Sequence, residues 1–581
     1  ADVKAEAKAG GFTVHFGNLM QLCHLKNSEM HVAFQSYKGR IVFRGDNIKD
    51  EDGCKALFTD QGTSSSHMTA TKFLDIVSRL PGCCGEDSDA TSAYTQIILE
   101  NANKLLGTGT IPKTYVSLPR NKWPASWRGM NEPVVELKRN LYGHPLAGLL
   151  WDKASERWIT KQGFKKVQGW ECLYYHSEEQ LFLGVYVDDF HMAGNKKNMS
   201  KMWDRLRQDM QLDPPVPFDG NKYLGCTQQN VRNDTKQIEE KSTLFRSFSD
   251  NSFHDGSEPS TPKKKPKAPD CSTPEKVVKA KIVPKAKSKP PSTTFDKENE
   301  PPVLNKNQKK RAAKKVAAAE FKSLLASKPK EVQSWEYRME GAIEGAVERY
   351  VEMTGIKAST LKSVATPCMD DHSFSTAELE ERGVVAPFAS KIVLKALYAA
   401  RLARPDLLWA VNSLAREVTR WTVACDRRLH RLMSYMHHHK DHAMRSHLGD
   451  ALMDCRILVF ADASFAGDVK DSKSTSGMFM VLAGPNTWCP LSWMCKKQTA
   501  VSHSSAEAEI ISLEAAMRAE ALPVMELWDT AIDVFHPIPG NTKFDFSTPK
   551  PVADNDWLSM IDYIPPSFHR KIDRARIIIL E

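Results

Sequence analysis

The segment LFLGVYVDDF, residues 181–190, places two adjacent carboxylates, Asp188 and Asp189, directly after an apolar run. That run is β-branched and aromatic, and the HMAGNKKN after Phe190 becomes turn-like, which predicts a β-hairpin with the acids at its tip. Like charges side by side at the end of buried strands repel and lose hydration, so they are tolerated mainly where a cation sits between them. A divalent metal ion is the matching partner. Nucleotidyl transfer with two ions about 4 Å apart, clamping the attacking and leaving oxygens, needs a third carboxylate. DSDATSAYTQ supplies Asp89, read at the head of a second short strand, with Ala93 and Tyr94 at fixed offsets behind it.

Strands and helices must hold these acids. GRIVFRG, AYTQIILE, PVVELKRNLYG, ECLYYH and LFLGVYV read as short strands, while ATKFLDIVSRL and LLWDKASERWITKQ carry apolar residues at helical spacing, an α+β pattern. Further on, EGAIEGAVERYVEMTG, ASKIVLKALYAARLA, DLLWAVNSLAREVTRWT and CDRRLHRLMSYMHHH are amphipathic helix candidates. From CRILVFAD strands return, followed by a long helix over about 504–528 whose Ile510, Leu513, Met517, Val524 and Trp528 share one face.

With 581 residues the chain exceeds a single core, so several domains are expected. No apolar run approaches the roughly 20 residues a spanning helix needs, which argues against a membrane partner. No secretory signal opens the chain, and Ala1 in place of Met suggests a fragment or processed product. The twelve cysteines form no CxxC pair, so neither a disulfide framework nor a structural zinc site is indicated and a reducing compartment is expected. A net charge of +9 favours polyanionic partners. It is concentrated in residues 261–290, lysines among prolines without one aromatic residue, where nothing can build a core. A disordered basic linker is expected over 231–335, with folded regions on either side. Its lysine run reads equally as a solvated tether or as a nuclear-localisation or nucleic-acid-clinging segment. HHHK at 437–440 reads as a cation cluster beside a helix C-terminus rather than a metal site.

Taken together, D-x-x-x-A-[FY] and Y-V-D-D resemble the reverse transcriptases of copia-type (Ty1/copia) LTR retrotransposons. YKGRIVFRG resembles that family's fingers motif, LKRNLYGHPLAGLLWDK its tyrosine-glycine segment, NKYLGC its primer-grip region and ALYAARLARPDLLWAVNSLAR its post-palm helices. The wording LYGHPLAG and SWMCKKQTAVSHSSAEAE is most similar to divergent copia-like elements of dinoflagellates. The resemblance implies that Asp89, Asp188 and Asp189 bind two Mg²⁺ (or Mn²⁺) ions, that Lys38 and Arg40 contact the incoming triphosphate, and that Tyr186 touches substrate. The family's glutamine after the tyrosine-glycine pair is replaced here by His144-Pro145-Leu146.

VFADASFAGDVKDSKSTSG through SHSSAEAEIISLEAA resembles the ribonuclease H domain that follows copia-type polymerases, which uses two metal ions held by four acids. Asp462 matches the first acid and Glu507 the second, although Ser504-Ser505-Ala506-Glu507 is also a capping box in which Glu507 would reach the Ser504 amide. RARIIIL supplies the strand that should precede a third acid, and the sequence stops at Glu581. Asp554 in VADNDW follows a proline-containing loop and reads as a decoy.

The expected architecture is therefore reverse transcriptase fingers and palm over 1–230, the linker over 231–335, a helical thumb and connection over 336–450, and a C-terminally truncated ribonuclease H-like α/β domain over 451–581. The expected activity is RNA-directed DNA polymerisation, with ribonuclease H activity lost by truncation. Expected partners are an RNA template, a DNA primer or RNA–DNA hybrid and dNTPs, in cytoplasmic virus-like particles or the nucleus. The alternative is a non-catalytic, decayed remnant that at most binds nucleic acid through its basic charge.

Overall fold

The computed structural model describes residues 2–26, 35–56, 58, 66–107, 111–251, 331–468, 470–536 and 577–580. Among the described residues the architecture is mixed α and β, with three sheets. In the first, the order is β2 (Ser36–Phe43), β1 (Val14–Lys26), β4 (Lys113–Ser117) and β5 (Val135–Glu136). In the second it is β10 (Val216–Pro217), β3 (Cys83–Asp89), β9 (Asp189–Asn195), β8 (Leu181–Tyr186), β7 (Leu173–His176) and β6 (Lys165–Lys166). In the third it is β11 (Lys222–Tyr223), β12 (Cys226–Val231), β13 (Gln333–Arg338), β14 (Met444–Leu448), β17 (Thr487–Lys497), β16 (Thr475–Gly484), β15 (Arg456–Ser464) and β18 (Ile577–Leu580).

The apolar run that opened the sequence reading becomes β8, and its hydrophobicity is continuous because both faces of the sheet are covered. Successive side chains alternate. Leu181, Leu183 and Val185 pack with Trp151 and Trp203, from the helices Ala147–Lys161 and Lys196–Leu206. Phe182 points the other way, edge-on to Phe73 of the helix Met68–Val77 at 5.4 Å. On that face Gly184 leaves room for Leu74, whose Cδ1 a Cβ there would approach to 2.9 Å and push aside.

Residues 1–245 and 329–581 make one compact unit, and 246–328 a second that lies almost wholly outside the described residues. β12 and β13 pair directly, Thr227 opposite Arg338 and Val231 opposite Ser334. The Lys/Pro-rich segment is thus an insertion within a strand pair, where a boundary between two folded regions was expected. Its expected ends also shift inward: Thr235–Asn251 is helical, and Ser334 and Trp335 belong to β13; 252–330 lies outside the described residues. The expected divisions at 336 and 451 are crossed by the third sheet and by one core. Phe73 meets Trp528 at 6.1 Å, Phe182 stacks on Phe535 at 6.2 Å, and Trp170 Nε1 donates to Pro523 O at 3.2 Å.

Two further elements differ from expectation. Asp89 ends its strand, β3, and the AYTQ after it is a 3₁₀ turn; the strand was hidden because CCGEDSD buries polar side chains, Asp87 and Ser88 among them. The long helix forms over Ser505–Ala516 and Leu522–Phe535 but is joined by a π-helical turn at Met517–Ala521. Pro523 lacks the N–H that a regular turn would use, and the added residue rotates the face. Ile510, expected on the buried stripe, is 66% exposed as a result. Among the described residues no helix is long and apolar enough to cross a membrane.

Candidate active site

β8 and β9 are joined by a two-residue loop, Val187-Asp188, so Asp188 occupies the hairpin tip and Asp189 opens β9. Asp189 is the register partner of Asp89 on one side and of Tyr186 on the other. Val187 has φ +59°, a left-handed conformation that costs a β-branched residue roughly 1–2 kcal/mol. Both loop carbonyls are held: Trp151 Nε1 donates to Val187 O at 2.6 Å and the Ala90 amide to Asp188 O at 2.6 Å. The tip is fixed from two elements.

Crowding and burial raise the pKa of two of these acids. Burial, then the charges of Asp188 and Asp89, pushes the Asp189 carboxyl up to about 7, and its side chain shares a hydrogen bond with Asp89. Burial and Asp188 likewise raise Asp89. Carboxylates that resist ionising together are what a dication relieves, and hard oxygen donors suit Mg²⁺ or Mn²⁺. Among the described residues no group of three or more His, Cys, Asp or Glu side chains is gathered as a ready metal cage. The donor set fits such ions as a pair, Asp89 with Asp189, flanked by Asp188.

Arg40, on β2, holds its guanidinium over the Tyr142 ring at 5.5 Å, and Tyr142 lies 4.7 Å from the Tyr94 ring. Burial and the Asp188 charge raise both phenols, which places the two hydroxyls within electrostatic reach of Asp188. Gly143 makes this juxtaposition: at φ +87° it passes so close to β2 that a Cβ would sit 2.1 Å from Phe43 O, while the Phe43 amide donates to Tyr142 O at 2.7 Å. Arg40 therefore stands near Asp188 by way of Tyr142 and Tyr94, whose paired rings leave no periodic signal in the sequence. Lys38 stands exposed on β2 opposite His24 and makes no ion pair or hydrogen bond among the described residues.

His144, at the family's glutamine segment, is buried between Phe43 and Phe58, accepts the Leu146 N–H at Nδ1 (3.2 Å), and is pushed down to about 4 by burial. It is a packing residue. His438 and His439, from HHHK, bond the carbonyls of Leu361 and Val364 at 2.8 and 3.2 Å, tying a loop to their helix end.

The second acid pair is less assembled. Asp462 lies exposed near the end of β15, and Ser512 Oγ docks the following helix by donating to Asp462 O at 2.7 Å. Glu507 accepts the His503 amide at 2.7 Å while Ser504 Oγ accepts the Glu507 amide at 3.1 Å; a cap forms, shifted one residue from the expected Ser504 partner. β18, from RARIIIL, pairs parallel with β15, Ile457 opposite Ile577 and Phe460 opposite Leu580. Asp554 lies outside the described residues.

Behind Asp189, on the same face of β9, is a fully buried imidazole. His191 Nδ1 is 2.5 Å from Asp87 Oδ1 and Nε2 is 3.1 Å from Asp75 Oδ1. Burial would lower its pKa, but the charges of Asp87 and Asp75 override this and push it up to about 9. Burial would likewise raise Asp75, yet His191, Arg79 and Tyr337 hold it below the usual carboxylate range. The sequence signal was available: Lys72 and Asp75 interrupt the apolar TATKFLDIV.

No family model matches the chain. It is similar to the Transposon Ty1-MR1 Gag-Pol polyprotein of Saccharomyces cerevisiae, 32% identical over 95 residues, 16% of this chain and 5% of that protein. It is also similar to the Retrovirus-related Pol polyprotein from transposon RE2 of Arabidopsis thaliana, 36% identical over 110 residues, 19% of this chain and 7% of that one. These relatives are thus transposon Gag-Pol and retrovirus-related Pol polyproteins, and the matched stretch spans well under a tenth of their length.

Proposed function

We propose that this chain is the reverse transcriptase and ribonuclease H region of a copia-type retrotransposon polyprotein, and that it extends a DNA primer on an RNA template from dNTPs, releasing pyrophosphate. The observation that carries the reading is the register of Asp89 against Asp189 with Asp188 at a pinned hairpin tip. On this reading the second sheet is the palm and the first sheet the fingers. Asp89, Asp188 and Asp189 would hold two Mg²⁺ or Mn²⁺ ions, which when bound neutralise charge developing on the attacking and leaving oxygens. The chain's own part is positioning. The tip bonds from Trp151 and Ala90 fix the carboxylates, and Arg40 offers the triphosphate a planar fork held against Tyr142. Tyr186, across from Asp189, and exposed Lys38 are further substrate contacts on this reading. β15–β18 with the helical segment 505–535 would be the ribonuclease H-like module, with Asp462 and Glu507 as two of its acids.

The test is primer extension by the purified chain on a primed homopolymer RNA. Incorporation should require Mg²⁺ or Mn²⁺; none with either ion would end the reading. Arg40→Ala should raise the KM for dNTP roughly ten- to a hundredfold, as expected for loss of a charge-assisted phosphate contact worth about 1.5–3 kcal/mol. Its kcat should change much less. An unchanged KM in steady-state kinetics would remove Arg40 from the nucleotide site.

A further inference from the structure

His191 lies two residues beyond Asp189 on β9, and Asp87 two residues before Asp89 on β3, so the His191–Asp87 contact sits one step behind the candidate metal acids on the same face. The imidazole has a carboxylate at each nitrogen, at 2.5 and 3.1 Å, and both nitrogens must therefore donate. Phe218 stacks on one side of the ring at 3.8 Å, with Tyr223 at 4.4 Å. Asp75 also takes hydrogen bonds from Gln228 Nε2 (2.5 Å) and Tyr337 Oη (2.8 Å), and Asp87 from Asn221 Nδ2 (2.7 Å). His191 and Asp75 have no exposed surface, and Asp87 is 4% exposed.

The cluster joins β3 and β9 of the second sheet to the helix Met68–Val77 and to β12 and β13 of the third. Stability does not call for it. Apolar residues of similar volume in place of a buried ion pair are often neutral or stabilising by about 1–4 kcal/mol, and the neighbouring position on this face of β9 is Ala193, packed in the core. What an ionic cluster supplies over a greasy one is direction: each bond fixes a distance and an angle between two strands.

We infer that His191 is a positioning residue for the polymerase site, clamping β9 to β3 directly behind Asp189 and so setting the separation of the Asp89 and Asp189 carboxylates. The inference rests on the reading of those acids as metal ligands. Side chains that orient ligands typically matter about 10- to 100-fold in metal affinity or activity.

Three variants test it: His191→Gln; the neutral, volume-matched combination Asp75→Asn, Asp87→Asn, His191→Leu; and Tyr337→Phe, which removes one bond to Asp75 and keeps the ring. Each is compared with the unaltered chain by thermal unfolding, by calorimetric Mn²⁺ titration without nucleic acid, and by steady-state extension. At a temperature where it remains folded, the neutral combination should bind Mn²⁺ about tenfold more weakly, with kcat reduced about tenfold and the dNTP KM within about twofold. His191→Gln should show the same two losses at a lower unfolding temperature, because it leaves Asp75 and Asp87 buried without a counter-charge, and Tyr337→Phe about two- to threefold in both measures. Unaltered Mn²⁺ affinity and kcat in the neutral combination would reduce the cluster to a core element and overturn the inference. Should His191→Gln or the combination not fold, Tyr337→Phe decides by the same two readouts. If the unaltered chain incorporates no nucleotide, the polymerase reading fails by itself, and the Mn²⁺ affinities alone decide the clamp.

Discussion

Asp188→Asn should lower primer extension by about a thousandfold or more while leaving the unfolding temperature nearly unchanged. The substitution keeps shape at the hairpin tip and removes one negative charge. Asp188 holds its place through its backbone, the carbonyl accepting the Ala90 amide at 2.6 Å, so the hairpin should form without the carboxylate. A ligand charge lost from a two-ion site is worth several kcal/mol of barrier, and about 4 kcal/mol corresponds to three decades in rate. Losing the Asp188 charge should also relax Asp189, whose carboxyl is raised partly by it. Radiolabel incorporation with Mg²⁺ measures the loss, and Asp462→Asn serves as the control that should leave extension intact. Extension by Asp188→Asn at even a tenth of the unaltered rate would move the metal site elsewhere.

The second large effect concerns the insertion between β12 and β13. Placing a specific protease site after Ala268 and cutting there should leave two fragments that co-elute as one species and retain extension activity within about threefold. Residues 1–268 and 269–581 made separately should fail to fold. Phe73 and Phe182 come from one fragment, Trp335 and Trp528 from the other, and all four are buried in a single core. Exposing them would cost roughly 6–12 kcal/mol at about 1.5–3 kcal/mol per large apolar side chain, as much as a typical domain's whole stability. Size-exclusion chromatography after cleavage gives the answer. Separation into two soluble, folded fragments would contradict the shared core.

Local pattern carried the sequence reading where burial was simple. The hairpin at 181–190 and the helices Glu340–Thr354, Ala389–Leu402 and Val423–His438 form as their periodicity and turn residues indicate. The pattern failed where polar residues are buried by partners far along the chain. β3 carries no strand signal in its sequence because the partners of Asp87, which are His191 and Asn221, lie more than a hundred positions away. Likewise, the pairing of β12 with β13 across the insertion leaves no trace in composition, which naturally suggests a tether between domains. Of the candidate site, the two acids at the hairpin tip were legible from charge placed against hydrophobicity. Asp89 was found but set at the wrong end of its strand, and the Arg40–Tyr142 contact depends on the close passage at Gly143, which no spacing rule encodes.

The shared core also has a consequence for synthesis. Phe73 is made more than 450 residues before Trp528, the ring it meets at 6.1 Å. At about 5–20 residues per second, the helix Met68–Val77 waits roughly 20–90 s on the ribosome before Trp528 is translated, and Phe182 of β8 roughly 18–70 s before Phe535 is. During that interval Phe73, Leu74 and Phe182 are open to any other apolar surface, including the same segment of a neighbouring nascent chain on a polysome. Yield of this protein in a heterologous host should therefore depend on how well holdase chaperones shield that one strip, and slowing translation should lower it.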